Sequence, residues 1–279
     1  GNIKWYAKSS GTTNDKSKFI PVSHEGLQRI HYKGGADVVA LYLRNTPKSK
    51  LFDGKSLILG GSHSPNYNLA GSLVGDLSAI LIENINPFAN LVRVPAKKTA
   101  LLSDFEVKRD RIAQETLGKN ITNISGVPSW MLSVLVRIME LSGKEHLEEV
   151  WPNLEVFFHG GIAFTPYRKQ YEKLITKSDM HYMETYNASE GFFGIQDDPS
   201  DSSMLLMIDY DVFYEFIPME EFGKDNATVV PLSGIELGRN YAMVISTSCG
   251  LWRYMIGDTV SFTSIRPYKF TITGRTKHF

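Results

Sequence analysis

Ser9-Ser10-Gly11-Thr12-Thr13-Asn14-Asp15-Lys16-Ser17-Lys18 is the stretch from which the organisation of this chain can be worked out. Ile3 to Ala7 before it reads as a strand, and Phe19-Ile20-Pro21-Val22 follows it. A loop of this composition offers backbone N–H groups, hydroxyls and ammonium groups together, which is the set of donors that a polyphosphate requires. Turns are built from the same residue types, so a solvated polar turn is the alternative interpretation.

Two more loops of similar character follow predicted strands. His159-Gly160-Gly161 comes after the strand Leu154 to Phe158, and Tyr186 to Gly191 comes after the strand Met180 to Thr185. Their small and polar residues would let a ligand approach the backbone. Because ligands bind outside the carboxyl ends of strands in α/β sheets, we expect these loops to carry the function.

The order of apolar segments predicts the fold class. Over residues 1–203 short strands alternate with helical patterns, which indicates a largely parallel sheet layered with helices. Over residues 204–279 short β-rich runs separated by turn residues predict an antiparallel, barrel-like part. The predicted fold class is therefore mixed α/β with a β-rich C-terminal part, within one multi-layer domain.

Three local predictions concern the helices and their connections. Ser23 is a candidate N-cap of a helix that Gly34-Gly35 should interrupt. Ser103 and Glu106 have the spacing of a capping box at the start of another helix. Asn120 to Val127 reads as a polar connection between two helices.

Charge and cysteine content exclude several classes of protein. Lysine plus arginine equals aspartate plus glutamate at 30 each, so no net field directs the chain to nucleic acid or to an anionic membrane. No apolar run reaches the roughly 18 residues of a membrane-spanning helix. The seven histidines lack the spacing of zinc ligands. The single cysteine, Cys249, fits a reducing compartment, and we predict a cytoplasmic protein. The sequence does not determine its oligomeric state.

Together these segments resemble the adenylate-forming superfamily of acyl-CoA synthetases, luciferase and peptide-synthetase adenylation domains. The likeness is strongest to the auxin-responsive Gretchen Hagen family of acyl-acid amido synthetases. Its loop has the form SSGT, five variable residues and KxIP, and Ser9 to Pro21 matches that spacing. Tyr186 to Gly191 is similar to its YxxSEG motif, and Arg253 to Asp258 is similar to its RYxxGD motif. Gly274-Arg275 resembles the segment before the hinge to the family's C-terminal lid.

The resemblance implies an ATP-dependent ligase with Mg²⁺ as its metal. Such an enzyme activates a carboxylic acid as an acyl-adenylate, releases pyrophosphate and then forms an amide with an amino acid. It also implies that residues 1–279 are the large domain of an adenylate-forming enzyme, without the family's N-terminal segment and C-terminal lid.

The resemblance further implies roles for individual residues. Lys18 and Glu190 are the predicted catalytic residues, and Glu190 would also hold Mg²⁺. Val127, Trp130 and His159 would line the acyl pocket. The predicted ATP- and AMP-binding residues are Ser9, Ser10, Gly11, Thr12, Thr13, Gly160, Gly161, Tyr186, Ser189, Asp258 and Arg275.

Two other functions stay open at this point. Asp15 brings a negative charge close to the expected phosphates, which would suit a nucleotide-binding module that lacks catalysis. An acyl-CoA-type thioester ligase is the alternative within the superfamily, although the spacing of Lys18 to Pro21 favours an amido synthetase. A P-loop NTPase is excluded because Lys16 stands where that motif requires glycine.

Overall fold

A twelve-stranded mixed sheet and a separate three-stranded sheet form the framework of the computed structural model, which describes residues 3–9, 18–63 and 72–278. The strands are β1 (Trp5–Ser9), β2 (Lys18–Val22), β3 (Lys55–Ile58), β4 (Leu73–Gly75), β5 (Arg93–Val94), β6 (Ile121–Gly126), β7 (Val156–Gly160), β8 (His181–Ala188), β9 (Gly191–Ile195), β10 (Met204–Leu206), β11 (Val212–Pro218), β12 (Val230–Pro231), β13 (Asn240–Thr247), β14 (Tyr254–Ile265) and β15 (Tyr268–Arg275). The large sheet has the order β12-β11-β13-β14-β15-β10-β9-β8-β7-β6-β3-β5, and the small sheet has the order β2-β1-β4.

Helices pack on both faces of the parallel part of the large sheet. They are α1 (His24–Gly26), a π-helical segment (Leu27–Tyr32), α2 (Lys33–Asn45), α3 (Leu77–Asn84), α4 (Lys97–Ala100), α5 (Phe105–Thr116), α6 (Pro128–Ser142) and α7 (Arg168–Leu174). Short 3₁₀ segments lie at Leu51–Asp53, Pro87–Leu91, Leu147–Glu149, Met219–Glu221, Leu232–Gly234 and Thr276–His278.

Strand β7 explains why the parallel strands read as continuous apolar runs. It lies between β6 and β8 and pairs in parallel with both. Side chains of a strand alternate between the two faces of its sheet. Phe157 joins the core formed with α5, α6 and α7, whereas Val156 and Phe158 join the core formed with α2. A strand covered by helices on both faces needs apolar residues at every position.

The antiparallel part begins at β9, which forms a hairpin with β8. From β9 to β12 each neighbouring pair in the large sheet is antiparallel, and β14 and β15 form a long hairpin. Phe216, Tyr241 and Phe262 are fully or almost fully buried in the core of this part. The predicted α/β class with a β-rich C-terminal part is confirmed.

The predicted interruption at Gly34-Gly35 is wrong, because α2 runs through both glycines. A Cβ atom on Gly34 would lie 2.5 Å from the ring of Phe192, so glycine permits the helix to pack closely on β9. Close packing therefore outweighs the low helix propensity of this pair.

Two further local predictions are corrected. Ile121–Gly126 is strand β6 and not a polar connection; Ile121 and Ile124 are buried in the core, and the hydroxyl of Thr122 donates to the carbonyl of Leu51 over 2.6 Å. The N-cap of α5 is Asp104 and not Ser103, because Asp104 accepts from the backbone N–H of Val107 over 3.0 Å.

The helices of the described segments were also compared with the dimensions of a bilayer. None of them combines the length and the apolar character that crossing a membrane requires.

Candidate functional site

A cleft of about 750 Å³ opens where the carboxyl ends of β7 and β8 approach β14 and β15. Predicted site residues that line it are His159, Gly161, Tyr186, Asp258 and Arg275. The cleft also contains polar side chains that the sequence analysis did not select, among them Arg168, Glu184 and Asn187. Residues that are distant in sequence are thus brought to one opening.

Asp258 is held on both of its oxygens. It pairs with Arg275 across β14 and β15, and Arg275 Nε lies 2.8 Å from Asp258 Oδ1. The hydroxyl of Tyr186 donates to Asp258 Oδ2. A carboxylate has about four lone-pair sites, so each oxygen can accept one more hydrogen bond. The cleft therefore presents a fixed carboxylate that still has capacity for two donors.

Tyr186 supplies more than an aromatic surface. Its ring packs against Phe193 and Phe270, with centroids 5.0 and 6.1 Å away, and the residue is 6% exposed. Burial and the adjacent carboxylate of Asp258 raise the pKa of Tyr186 far above its ordinary value. The hydroxyl consequently remains protonated and acts as a donor, and Tyr186 contributes to the lining of the cleft.

A second cluster joins Lys18 to Glu190 through Tyr254. Lys18 Nζ donates to the Tyr254 hydroxyl over 3.0 Å, and that hydroxyl donates to Glu190 Oε1 over 3.2 Å. Lys18 Nζ also lies 5.2 Å from the centroid of the Tyr254 ring. Both predicted catalytic residues, Lys18 and Glu190, are therefore hydrogen-bonded to the same phenol group.

The two clusters interact electrostatically. Burial raises the pKa of the Glu190 carboxyl, while its own backbone N–H, Tyr254 and the charge of Lys18 lower it, and Asp258 raises it. The charge of Glu190 in turn raises the pKa of Tyr186. Charges couple in this way when they lie near one another in a poorly solvated region.

The glycines at the end of β7 shape the wall of the cleft. A Cβ on Gly160 would lie 2.4 Å from the carbonyl oxygen of Thr185, so β7 and β8 approach closely here. Gly161 has a φ of 83°, which glycine adopts without strain. A Cβ at Gly161 would lie 3.3 Å from Val127, the residue before α6, which places Val127 just behind this wall.

His159 lies within an aromatic cluster at the same end of β7. Its ring stacks on Phe164 with a centroid distance of 4.3 Å, and the residue is 3% exposed. Burial, followed by the charge of Arg168, lowers the pKa of His159 to about 3. The imidazole is therefore neutral at neutral pH, and its Nδ1 has no hydrogen-bond partner among the residues described.

The remaining predicted residues have various locations. Ser10, Gly11, Thr12 and Thr13 lie outside the described residues; Ser9 ends β1 directly opposite Lys18 on β2. Ser189 precedes Glu190 in the turn between β8 and β9. Trp130 is 42% exposed on α6 and contacts Phe105 on α5, so it lies apart from the described lining of the cleft.

No group of three or more potential metal-ligating side chains occurs in residues 3–9, 18–63 and 72–278. Glu190 is the carboxylate that lies beside Lys18 and Tyr254. One or two carboxylates together with substrate phosphates is the usual way in which proteins hold Mg²⁺. The donor set fits a metal that arrives with a nucleotide.

Comparison with known families shows where this arrangement belongs. The model of the GH3 family N-terminal domain matches residues 1–180, and that of the GH3 family central domain matches residues 205–275. The chain belongs to the GH3 family. This confirms the resemblance to the Gretchen Hagen family that the sequence motifs indicated.

Similar proteins extend the comparison of the GH3 chain. It is 30% identical over 125 residues to indole-3-acetic acid-amido synthetase GH3.3 of Arabidopsis thaliana, an alignment that covers 42% of this chain and 20% of that protein. Its fold matches AtGH3.15 acyl acid amido synthetase, solved with 2,4-DB, with a TM-score of 0.78, 19% identity and coverage of 98% of this chain and 56% of that chain. ATP-bound MatB from Rhodopseudomonas palustris has a TM-score of 0.52 at 16% identity, with coverage of 98% and 48%. The GH3 chain thus spans about half the length of these solved structures.

Sequence reasoning about this GH3 chain missed two charged residues of the cleft. Glu184 lies opposite His159 in the pairing of β7 and β8, and burial raises its pKa while the charge of Arg168 lowers it. The guanidinium of Arg168 lies 4.9 Å from the centroid of the Phe164 ring. Glu184 could have been predicted from the sequence, because side chains alternate between the two faces of a strand and Glu184, two residues before Tyr186, lies on the same face.

Proposed function

We propose that this GH3 protein activates a carboxylic acid with ATP and then forms an amide with an amino acid. The support is the Tyr186–Asp258–Arg275 cluster, which lines the cleft, together with the Lys18–Tyr254–Glu190 cluster. The charge of Glu190 is coupled to Tyr186 and Asp258, which links the two clusters. The family adds weight, because its relatives include an indole-3-acetic acid-amido synthetase and an acyl acid amido synthetase. MatB, which shares the fold, was solved with ATP bound.

The first step requires positioning and charge stabilisation rather than a protein nucleophile. A carboxylate oxygen of the acid attacks the α-phosphorus of ATP, an O–P bond forms, and the bond to the bridging oxygen breaks to release pyrophosphate. The site has to hold two anions in line and stabilise the charge that develops on the phosphate. In this proposal Lys18 provides a positive charge for the phosphates.

The second step transfers the acyl group to nitrogen. The amine of the amino acid attacks the acyl carbonyl carbon, the bond to the phosphate oxygen breaks, and AMP leaves with the electron pair. The attacking amine releases one proton. Exclusion of water from the cleft would protect the mixed anhydride from hydrolysis before the amine arrives.

The nucleotide would be recognised mainly by side chains of the antiparallel part and by strand-end backbone. Asp258 would accept from the ribose hydroxyls with its remaining lone pairs, and Arg275 would keep that carboxylate oriented. Gly160-Gly161 and Tyr186 would lie against adenine. Glu184, two residues before Tyr186 on the same face of β8, would accept from the amino group of the base.

The residues Ser9 to Thr13 and Ser189 would supply hydroxyl and backbone donors to the phosphates. Val127 and His159 would border the acid, and the neutral, buried imidazole of His159 suits contact with an apolar acyl group. Trp130 stays a prediction that the geometry does not support, because it lies on the surface of α6.

Glu190 would hold Mg²⁺ together with phosphate oxygens of ATP. When bound, the metal would neutralise negative charge on the pyrophosphate that leaves. The single Cys249 fits a reducing environment, and the proposal includes the cytoplasm as the site of action.

The test is acid-dependent exchange of label between pyrophosphate and ATP by the full-length protein. A panel of acids should include indole-3-acetate and 2,4-DB, and amide products with amino acids should be identified by mass spectrometry. We expect exchange with at least one acid, loss of that exchange in Glu190→Ala, and normal exchange in Glu145→Ala, which removes an exposed carboxylate.

The other candidate functions give different results in the same experiment. Tight ATP or AMP binding without exchange for any acid would favour a nucleotide-binding module. Exchange followed by product formation with coenzyme A, but with no amino acid, would favour a thioester ligase.

A further inference from the structure

Tyr254 lies in the segment Arg253 to Asp258. The proposed function gives a role to Asp258 of that segment but none to Tyr254. Tyr254 is the first residue of β14, opposite Ile245 on β13. Its half-buried ring packs against two apolar cores, that of the small sheet and that of the antiparallel part. The phenol is therefore anchored between two units of the fold.

The direction of the hydrogen bonds around Tyr254 is fixed by chemistry. An ammonium group can donate but not accept, and a tyrosine hydroxyl has one hydrogen. Lys18 Nζ must therefore donate to the phenol oxygen over 3.0 Å, and the phenol hydrogen must point to Glu190 Oε1 over 3.2 Å. The chain runs from a cation through a neutral group to an anion, so each bond polarises the next.

The two ends of this chain come from different parts of the molecule. Lys18 begins β2 in the small sheet, whereas Glu190 lies in the turn between β8 and β9 of the large sheet. The hydroxyl of Tyr254 connects them, although 236 residues separate Lys18 from Tyr254. Lysine has a long, flexible side chain, and a bond to an anchored phenol restricts where its ammonium group can lie.

We propose that Tyr254 is a positioning residue that fixes Lys18 and Glu190 relative to each other. It acts through these two groups and need not touch the substrate. The inference rests on the proposed function for its catalytic consequence, since Lys18 would face phosphates and Glu190 would hold the metal. The hydrogen-bond chain itself is independent of that function.

The test compares Tyr254→Phe with Tyr32→Phe in the full-length protein. Tyr32 is a matched control: it is half-buried, it packs on the same core as Tyr254, and its hydroxyl donates to the carbonyl of Leu81 over 2.8 Å. We expect Tyr254→Phe to lower kcat of the acid-dependent exchange by about 10- to 100-fold, as small misplacements of reacting groups do. The Kd for AMP, measured by calorimetry without metal, should stay within about twofold. Tyr32→Phe should keep the wild-type kcat.

A double mutant separates positioning from general damage. If Tyr254 acts through Lys18, adding Tyr254→Phe to Lys18→Met should lower kcat little further than Lys18→Met alone. Fully additive losses, or equal losses of kcat and AMP affinity, would overturn the proposal.

A chemical readout makes the inference testable without activity. Acetylation of Lys18 by an N-hydroxysuccinimide ester, followed by peptide mass spectrometry, reports how firmly its ammonium group is held. We expect a several-fold faster reaction in Tyr254→Phe and no change in Tyr32→Phe. If wild type shows no exchange but Lys18 is still protected by Tyr254, the proposed function fails and the positioning role stands. An unchanged rate of acetylation in Tyr254→Phe would overturn the positioning role whatever the activity.

Protein folding is checked by the midpoint of thermal unfolding. If Tyr254→Phe is much less stable than Tyr32→Phe, Glu190→Gln is used instead, because it weakens the other end of the same chain. Faster acetylation of Lys18 in Glu190→Gln supports the chain, and a wild-type rate there contradicts it.

Discussion

The parallel and antiparallel parts of the large sheet contribute to the cleft in different ways. The parallel part supplies strand ends. Gly160 ends β7 and Gly161 follows it, and the absence of a side chain on Gly160 lets β7 and β8 approach closely. The antiparallel part supplies side chains from paired strand positions, as Asp258 opposite Arg275 shows. The parallel part therefore adds backbone access to its charged side chains Arg168 and Glu184, whereas the antiparallel part contributes an ion pair that strand register holds together.

The largest effect should follow from breaking the charged pair of the antiparallel part. Asp258→Asn removes the charge that Arg275 and Tyr186 hold in place. Hydrogen bonds to charged groups contribute about 1.5–3 kcal/mol, so we expect acid-dependent exchange to fall by about 100-fold. The control is Asp225→Asn, which alters an exposed aspartate in the same part of the chain. Equal rates for the two variants would remove Asp258 from the proposed site.

A smaller effect should follow from filling the close approach in the parallel part. In Gly160→Ala the added Cβ would meet the carbonyl oxygen of Thr185 at 2.4 Å, and a backbone atom within a sheet cannot move away easily. Overpacking of this kind typically costs about 2 kcal/mol of unfolding free energy. Urea denaturation should show this loss in Gly160→Ala but not in Gly118→Ala, where an added Cβ meets nothing within 4 Å. If Gly160→Ala and Gly118→Ala had the same free energy of unfolding, β7 and β8 could move apart without loss of stability.

Acid should act in part through buried histidines, and His31 is one of them. Burial lowers the pKa of His31 from 6.5 to about 4. The unfolded chain therefore binds more protons than the folded one between these values, so this contribution is complete above pH 6.5 and is lost as the pH falls towards 4. Between pH 7.5 and 5.5 the loss amounts to about 1.4 kcal/mol.

Replacement of His31 isolates this effect. Urea unfolding at the two pH values should show a decrease in stability that is smaller by about 1.4 kcal/mol in His31→Gln than in wild type. His159, whose pKa is lowered to about 3, should contribute in the same direction in both proteins. An identical pH dependence in the two proteins would contradict the burial of a neutral His31.

The features that could be predicted from the sequence are those whose physical cause is local. Gly160-Gly161 after an apolar strand has a short signature, and these glycines lie at the end of β7 as predicted. The N-cap of α5 was displaced by one residue because Ser103 and Asp104 are both good capping residues. Neighbouring candidates of this kind differ little in energy.

The features that could not be predicted depend on contacts between distant residues. Tyr254 gains its importance from Lys18, 236 residues earlier, and no local pattern records that contact. Strand β6 was mistaken for a connection because Thr122 and Asn123 look solvated. In the structure Thr122 donates to the carbonyl of Leu51, and Asn123 donates to the hydroxyl of Thr122. Buried polar residues are compatible with a central strand once such partners exist.

The smallest expected effect concerns α2, which packs across the junction of the two parts of the sheet. Its core includes Val156 on β7 and Phe192 on β9. A Cβ on Gly34 would lie 2.5 Å from the Phe192 ring, whereas a Cβ on Gly35 would meet nothing within 4 Å. Gly35→Ala should therefore stabilise the protein by about 0.5–1 kcal/mol through helix propensity, and Gly34→Ala should destabilise it by forcing α2 away from β9. Thermal and urea unfolding of the two variants would measure this contrast. If Gly34→Ala and Gly35→Ala both raised the stability, α2 would be free to move relative to β9. The contact between Gly34 and Phe192 would then be less close than the structure shows.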